Sequence, residues 1–298
     1  MPRPQDTQSE VDHWNEVERR TKAGERVFWL NHPRIAHHYF RKGLLGGLPW
    51  RAWFRRQLGA PGKYGLELGC GRGAALLETL NAGTVEHCDG IDLDESRFDA
   101  PGQDQRARFI ATDVNTARLA HCHYDLIYAL HSVHHFSALE HIFSQVAQAL
   151  TPNGYFIIEE FAGPPRFQWT DLQLSVVNQL LAIIPKPLRR YANGMEKLLE
   201  GRSTPEEVIK VCPSEAIRSD EIVPLFYQYF DVVRHQNLGG TIQHLLYSGI
   251  VQNFPDNDRE VDHMIDCING LEETMIERGL LPSDFVLLVG KNRPRAAS

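Results

Sequence analysis

A glycine-rich segment, "YGLELGCGRGAALLETL", spans residues 64–80 and limits the folds open to this chain more than any other part of the sequence. Its apolar start is typical of a buried strand, and its end is typical of a helix. Between them, Gly69, Gly71 and Gly73 remove side chains from the turn. Such a turn lets the backbone approach a bound nucleotide closely. The segment therefore predicts a nucleotide site, but it leaves the nucleotide open.

Short apolar runs alternate with helical patterns along the rest of the chain, which predicts an α/β fold. Strands are predicted at 64–68, 86–92, 108–113, 124–130, 155–161, 231–236 and 284–291. Alternation of this kind indicates a mostly parallel sheet with helices on both faces. We therefore expect a Rossmann-like sheet of seven strands, with ligands bound at the carboxyl ends of its strands.

The intervals between these strands suggest one core with added helical segments rather than two independent domains. The expected division is a helical N-terminal cap (1–60), a cofactor-binding core (61–162), a helical lid insertion (163–215), a core helix and strand (216–239), a helical insertion (240–280), a last core strand (281–292) and a disordered tail (293–298). Two helices should begin with capping boxes, one formed by Ser137 and Glu140 and the other by Thr170 and Gln173.

Charge and cysteine usage exclude several classes of protein. The net charge of −7 argues against a nucleic-acid-binding protein, which usually carries a basic excess. Five cysteines without a CxxC pair are typical of free thiols in a reducing compartment. The polar N-terminus has no apolar core for a signal peptide, and no apolar run is long enough to cross a bilayer. We expect a cytoplasmic protein that binds a small molecule or glycan, and the oligomeric state stays open.

Carboxylates near the ends of three predicted strands narrow the choice of nucleotide. Glu67 precedes the glycine turn, and Asp92 and Asp113 end the second and third strands. An acid beside a pyrophosphate would repel it, whereas an acid beside a cationic amino-acid end would attract it. Asp92 is placed to grip ribose hydroxyls. The pattern favours a nucleoside with a cationic end over a dinucleotide.

The motifs "LELGCGRG", "DGIDLD", "ATDV" and "YDLIYALHSVHHF" resemble those of class I S-adenosylmethionine-dependent methyltransferases. The resemblance covers residues 60–160 and, loosely, the last two strands. It implies S-adenosyl-L-methionine as the cofactor and S-adenosyl-L-homocysteine as the product. It also implies a set of cofactor-binding residues: Glu67, Gly69, Gly71, Ala129 and Leu130 around the methionine end, Asp92 at the ribose, and Leu93, Asp113 and Val114 around the adenine.

Two other classes of protein remain compatible with these motifs. A dinucleotide oxidoreductase would share the glycine turn, and a non-catalytic S-adenosylmethionine-binding protein would share the whole cofactor site. Thermal stabilisation of the protein by S-adenosylhomocysteine, and not by a nicotinamide dinucleotide, would exclude the oxidoreductase. Cofactor binding without methyl transfer would identify the non-catalytic binding protein.

Candidate catalytic groups lie at the ends of the fourth and fifth strands. Transfer of a methyl group to a hydroxyl usually needs a base. His135 and Glu160 are the expected candidates, although either Glu159 or Glu160 should face the site. His131, His134 and His135 also suggest a metal site, but no acidic cluster accompanies them in the sequence, and we expect no metal.

The acceptor is the least constrained part of the prediction. The segments "AGPPRFQWTDLQL", "CPSEAIRSDEIVPLF" and "GGTIQHLLYSGIVQNF" resemble a subgroup of bacterial methyltransferases met among polysaccharide and glycoconjugate genes. Arg166 could hold an anionic acceptor, and Trp169 could stack on a sugar. His244 is a further candidate for the acceptor site. We expect O-methylation of a sugar, a glycan or a similar small polar hydroxyl, with a small-molecule O- or N-methyltransferase of secondary metabolism as the alternative.

Overall fold

The structure is a computed structural model that describes residues 12–93, except 14 and 18, and residues 104–293. The expected disordered tail therefore lies, apart from Arg293, outside the described residues, as do the first eleven residues of the expected N-terminal cap. The segment between the second and third strands is described only up to Leu93 and again from Asp104.

Seven strands form one sheet, as the sequence predicts. They are β1 (Gly62–Leu68), β2 (Val85–Asp92), β3 (Ala107–Ala111), β4 (Tyr124–Leu130), β5 (Leu150–Phe161), β6 (Phe230–Gly239) and β7 (Phe285–Asn292). Their order in the sheet is β3-β2-β1-β4-β5-β7-β6. Strands β1 to β5 pair in parallel, so their carboxyl ends lie along one edge. The Rossmann-like fold class is confirmed.

Nine α-helices have defined bounds in the described part of the chain. They are α1 (Pro33–Lys42), α2 (Trp50–Leu58), α3 (Ala74–Asn81), α4 (Leu139–Ala149), α5 (Asp171–Ile183), α6 (Pro205–Val211), α7 (Ile222–Tyr229), α8 (Gln243–Tyr247) and α9 (Arg259–Glu277). Residues 12, 13, 15–17 and 19–22 are also helical. Short 3-10 turns cover Trp29–Asn31, Val133–His135, Pro165–Phe167, Ser219–Glu221 and Val251–Asn253.

Strand β5 begins five residues before the predicted position and includes the "TPNG" segment at 151–154. The register against β4 shifts between the pairs Tyr124–Leu150 and Leu126–Tyr155, so the additional residues form an irregularity in the ladder. A β-carbon at Gly154 would lie 2.9 Å from the carbonyl oxygen of Tyr124. Glycine at this position thus permits the close approach of the two backbones.

The two predicted capping boxes have different outcomes. At α5, the Thr170 side chain accepts a hydrogen bond from the Gln173 amide, and the Gln173 side chain accepts one from the Thr170 amide. This prediction is confirmed. At α4, the helix begins after Ala138 without a side-chain cap, so the second prediction is wrong. There, Asn115 Oδ1 accepts hydrogen bonds from the amides of Ser137 and Ala138, and it replaces the local cap.

The chain forms two compact units, both made of discontinuous segments. One takes in residues 43–162, 214–236 and 286–298, and contains the sheet except for the ends of β6 and β7. Leu66, Ile127, Phe156 and Leu288 belong to its buried core. The other takes in residues 1–42, 163–213 and 237–285, and is mostly helical. We call them the sheet unit and the helical unit. The candidate cofactor and catalytic residues all belong to the sheet unit.

Candidate active site

The carboxyl ends of β1 and β2 are joined through Asp92. Its Oδ2 accepts a hydrogen bond from the Gly71 amide at 2.7 Å, and its Oδ1 accepts one from the Leu93 amide at 2.8 Å. The amides of Gly69 and Cys70 donate to the carbonyl oxygen of Ile91. The three turn glycines have positive φ angles of 68°, 53° and 83°. Asp92 therefore fixes the glycine turn while keeping acceptor capacity for a ligand.

Glu67 is a buried carboxyl group next to this turn, with 3% of its surface exposed. The register places it opposite Tyr128, whose hydroxyl donates to Glu67 Oε2 at 3.2 Å. Burial raises the pKa of Glu67 to about 8, against the opposing effects of Tyr128 and Arg51. A buried carboxyl of this kind gains most from a cationic ligand, because such a ligand supplies the missing counter-charge.

Asp113 follows β3 and organises the loop there. Its Oδ1 accepts hydrogen bonds from the backbone amide of Asn115 at 2.8 Å and from its side chain at 2.9 Å. Val114 is buried beside it. Because Asn115 also holds the start of α4, the loop is connected to the next part of the site.

The end of β4 brings together the other predicted contacts of the methionine end. Ala129 is fully buried and Leu130 is half-buried, opposite Glu159 of β5. His131 follows at φ 53°, a conformation that is uncommon for residues with a side chain. Its Nε2 lies 3.4 Å from Glu159 Oε1. Desolvation lowers the pKa of His131, but Glu159 and Glu160 together raise it more, so the net shift is upward.

Glu160 points into a buried network and is fully shielded from solvent. Its Oε2 accepts hydrogen bonds from the amides of Ser132 and Val133 at 2.8 and 2.6 Å. Its Oε1 contacts His134 Nδ1 and accepts from the Phe161 amide. Burial raises the pKa of Glu160, but His134, His131 and the Val133 amide together lower it more, so the net shift is downward and the carboxyl stays ionised.

His134 lies between two carboxylates, because its Nε2 is 3.4 Å from Glu215 Oε1. Desolvation lowers its pKa, but Glu160 and Glu215 together raise the pKa to about 10. The backbone also joins these segments, since the Ile217 amide donates to the His134 carbonyl oxygen. An imidazolium between two carboxylates thus holds the segment after residue 213 against the end of β4.

His135 is half-buried, and its ring lies 4.2 Å from that of His134. Its Nδ1 is 2.9 Å from the hydroxyl oxygen of Ser214. In the described residues, the ligand atoms of His134, His135 and Glu215 come within 4.8 Å of one another. This set differs from the three histidines considered from the sequence, because Glu215 takes the place of His131.

The three predicted acceptor-binding residues belong to the helical unit. Arg166 donates from Nη1 to the carbonyl oxygen of Pro213 at 2.8 Å. Trp169 is buried, stacks on Phe167 with the ring centres 5.1 Å apart, and meets His244 edge to face at 5.7 Å. The structure therefore brings Trp169 and His244 into one aromatic cluster.

The donors and acceptors at the ends of β1 and β2 fit S-adenosylmethionine. A buried carboxyl suits its ammonium group, the carboxylate of Asp92 suits its ribose hydroxyls, and the glycine turn leaves backbone within reach. Fold and site together define a class I S-adenosylmethionine-dependent methyltransferase.

Comparison with known families agrees with this class. The model of a methyltransferase-domain family, Methyltransf_23, matches residues 37–215, which is more than half of the chain. The chain belongs to this family, and it is an enzyme that uses S-adenosylmethionine. Curated protein sequences give no significant match.

The chain is also similar to solved structures at low sequence identity. A geranyl diphosphate methyltransferase solved with geranyl diphosphate and sinefungin is 11% identical, with a TM-score of 0.50 over 82% of this chain and 78% of that one. The geranyl diphosphate C-methyltransferase of Streptomyces coelicolor, with Mg²⁺ and S-adenosylhomocysteine, is 12% identical, with a TM-score of 0.49 over 82% and 80%. An S-adenosylmethionine-dependent methyltransferase from Mesorhizobium loti is 18% identical, with a TM-score of 0.46 over 80% and 96%.

Sequence reasoning missed several residues that complete the site. Tyr128 contacts Glu67, Ser132 donates to the Leu68 carbonyl oxygen, and Ser214 and Glu215 contact the two histidines. The first two lie on or beside a predicted strand, so the register could have placed them. The last two lie 79 residues or more beyond His135, and no local pattern connects them to it.

Proposed function

We propose that this enzyme methylates a hydroxyl group of a sugar, a glycan or a similar small polar acceptor. The observation that carries the proposal is the contact between His135 and Ser214 at the carboxyl edge of the sheet. A sugar hydroxyl is a weak nucleophile until its proton is removed. An imidazole held at this edge is a suitable proton acceptor.

The hydrogen bond of Ser214 supports one particular tautomer of His135. If Nδ1 carries the proton and donates it to the Ser214 oxygen, Nε2 has the lone pair that accepts a proton from the acceptor hydroxyl. S-adenosylmethionine supplies an already activated methyl group. The chain then has three tasks: to bind the acceptor, to align its oxygen and to take up the proton.

Glu160 acts in this proposal as a positioning residue. Its four hydrogen bonds use both of its oxygens, so no lone pair is left for the proton of an acceptor hydroxyl. It holds His134 and the backbone before His135. Its role is therefore to fix the histidine pair, while His135 performs the proton transfer.

The aromatic cluster of the helical unit supports a polar acceptor with an apolar face. Trp169 and His244 combine a flat ring surface with nitrogen atoms, which is a combination suited to sugar rings. Arg166 could add an anionic group to the acceptors recognised. We propose that these three residues contribute to the acceptor site, that the helical segments around them act as a lid, and that the enzyme works in the cytoplasm.

A labelled-methyl assay tests the proposal. Purified protein is incubated with tritiated S-adenosylmethionine and panels of sugar nucleotides, oligosaccharides, phenols and amines. With the best acceptor, His135→Asn should lower kcat by about 10²–10⁴-fold and barely change the cofactor Kd. His263→Asn, at an exposed position on α9, is the matched control.

Four results would contradict parts of this account. Methyl transfer to nitrogen or carbon would contradict the hydroxyl acceptor but not the methyltransferase activity. Wild-type turnover in His135→Asn would contradict the role of His135 as the base. Transfer to phenols or amines only would favour the alternative of a small-molecule enzyme of secondary metabolism, and cofactor binding without transfer to any acceptor would favour a binding protein.

A further inference from the structure

A short segment after α5 buries its charged residue and exposes its apolar ones. In Lys197-Leu198-Leu199, the lysine is 1% exposed, whereas the two leucines are 62% and 72% exposed. Burial of a lysine and exposure of two adjacent leucines both oppose the usual preferences of these residues. Folding alone gains nothing from such exposure, so the leucines call for another explanation.

The contacts of Lys197 show that this arrangement is built into the fold. Its Nζ donates to the carbonyl oxygens of Leu245 and Ser248 at 2.6 and 2.9 Å, at the end of α8. It also pairs with Glu200 at 2.5 Å. A cation at a helix C-terminus satisfies carbonyl groups that lack partners within the helix. This anchor fixes the register of the segment and directs its neighbouring leucines outward.

Two further exposed apolar side chains lie in the same stretch of the sequence as the two leucines. Glu200 and Asn178 of α5 are joined by two hydrogen bonds, which tie the segment to the helix that ends with Ile183. Ile183 is 74% exposed and Met195 is 62% exposed. We call Ile183, Met195, Leu198 and Leu199 the apolar patch. Of the twelve exposed large hydrophobic residues in the described chain, seven lie between 172 and 211, so the exposure is concentrated in one part of the helical unit.

Among the charged side chains in this stretch of the sequence, those that form no ion pair are cationic. Arg189 pairs with Glu196, and Lys197 pairs with Glu200. Lys186 and Arg190 are exposed and form no ion pair with any residue that the structure describes. The chain as a whole has a net charge of −7. The unpaired charge in this stretch is thus positive, whereas the net charge of the whole protein is negative.

We propose that the apolar patch, with Lys186 and Arg190, docks the enzyme on an anionic membrane surface. Exposed aliphatic side chains flanked by cations are the combination that binds a lipid interface, since the side chains enter the headgroup region and the cations meet anionic lipids. No helix in the described residues is long and apolar enough to cross a membrane, so the contact is peripheral.

The same charges argue against a symmetric dimer through this patch. An isologous contact brings the same surface of two copies together, and here it would oppose two pairs of unpaired cations. A membrane with anionic headgroups has no such cost, which is why we favour it as the occupant.

Vesicle sedimentation tests the docking surface. The full chain is mixed with vesicles of phosphatidylcholine alone and of phosphatidylcholine with 30% phosphatidylglycerol, and bound protein is measured in the pellet. Wild type should pellet with the anionic vesicles, and about tenfold less with the neutral ones or in high salt. Leu198→Ser combined with Leu199→Ser should reduce binding by about tenfold or more, and Lys186→Ala combined with Arg190→Ala should remove its salt dependence.

A matched control and a second measurement make the test decisive. Leu280→Ser changes another leucine of the helical unit, 58% exposed, and should bind as wild type does. Melting curves confirm that the variants are folded. Binding equal to background on both vesicles, or equal binding by the leucine variants, would overturn the proposal. So would a stable dimer in sedimentation equilibrium that the leucine substitutions dissociate, because the patch would then be covered by a second copy.

Discussion

At the scale of single residues, the site combines carboxylates in opposite electrostatic situations. Glu67 is buried with one hydroxyl partner, and its pKa is raised to about 8. Glu160 is equally buried but faces an imidazolium and three amides, and its pKa is lowered. The environment of each carboxyl therefore assigns it a role. We expect Glu67 to take up charge when the cofactor binds and Glu160 to carry charge throughout.

Glu67 should release a proton when the cofactor binds. Without ligand, its pKa of about 8 keeps the carboxyl mostly neutral at pH 7. The ammonium group of the cofactor favours the ionised form, so binding at pH 7 should expel a proton. Calorimetry in two buffers with different ionisation enthalpies should give different heats for wild type, with a smaller difference in Glu67→Gln. Equal buffer dependence in the two proteins would argue against this role.

His134 should make the free energy of unfolding depend on pH. Its folded pKa of about 10 exceeds the ordinary value of 6.5, so its contribution is complete below pH 6.5 and is lost as the pH rises toward 10. The lowered pKa of Glu160 adds stability above pH 4.5, which is lost as the pH falls. Urea unfolding should thus show the largest advantage of wild type over His134→Gln between pH 4.5 and 6.5. A constant difference from pH 5 to 10 would contradict the ion pair.

At the scale of secondary-structure elements, the strands position almost all of the proposed cofactor residues. Each lies at or just beyond the end of a parallel strand, so the sheet register alone brings them to one edge. Helix starts follow a different rule, as the two predicted capping boxes show. A local sequence signal determines the start of α5, whereas a distant asparagine determines the start of α4.

Substitutions at the two helix starts should therefore differ in effect. Thr170→Ala removes a side-chain acceptor from the first turn of α5 and should lower the free energy of unfolding by about 1 kcal/mol. Ser137→Ala is the comparison at the start of α4, where the serine is exposed and its hydroxyl donates only to Asn115 Oδ1 at 3.2 Å, so its loss should cost less. Chemical denaturation measures both. An equal loss of stability in the two variants would show that the α5 cap has no special weight.

The sequence predicted what depends on local pattern and missed what depends on distant contacts. Glycines, strand-end acids and apolar alternation are local, and they were sufficient for the fold and for a nucleoside site with a cationic end. The cofactor itself was implied by the resemblance to class I methyltransferases. The contacts of Ser214 and Glu215 with the histidines arise only after the chain returns to the sheet. The early start of β5 likewise depends on its pairing with β4, which no single strand encodes.

At the scale of the whole molecule, the sheet unit contains the proposed cofactor site. The helical unit contains the aromatic cluster and the apolar patch. The helical unit is assembled from three separate stretches of sequence. Because function resides in sites added to a common fold, we expect the helical unit rather than the sheet to determine which acceptor is methylated.

Turnover by the whole enzyme should not require a metal ion. The imidazolium of His134 already occupies the space between Glu160 and Glu215, so the cluster holds a proton where a cation would bind. Dialysis against a chelator should leave the rate of methyl transfer unchanged. Loss of activity that a divalent ion restores would instead assign the three clustered ligands to a metal.

Binding of S-adenosylhomocysteine to wild type and Asp92→Ala tests the central claim most directly. Titration calorimetry should show one site per chain in wild type, with affinity weakened by about 1–3 kcal/mol in Asp92→Ala, because the ribose hydroxyls lose a charged acceptor. Glu86→Ala, an exposed substitution on the same strand, should bind as wild type does. Folded wild-type protein that gives no heat, or equal affinities in all three proteins, would contradict the account.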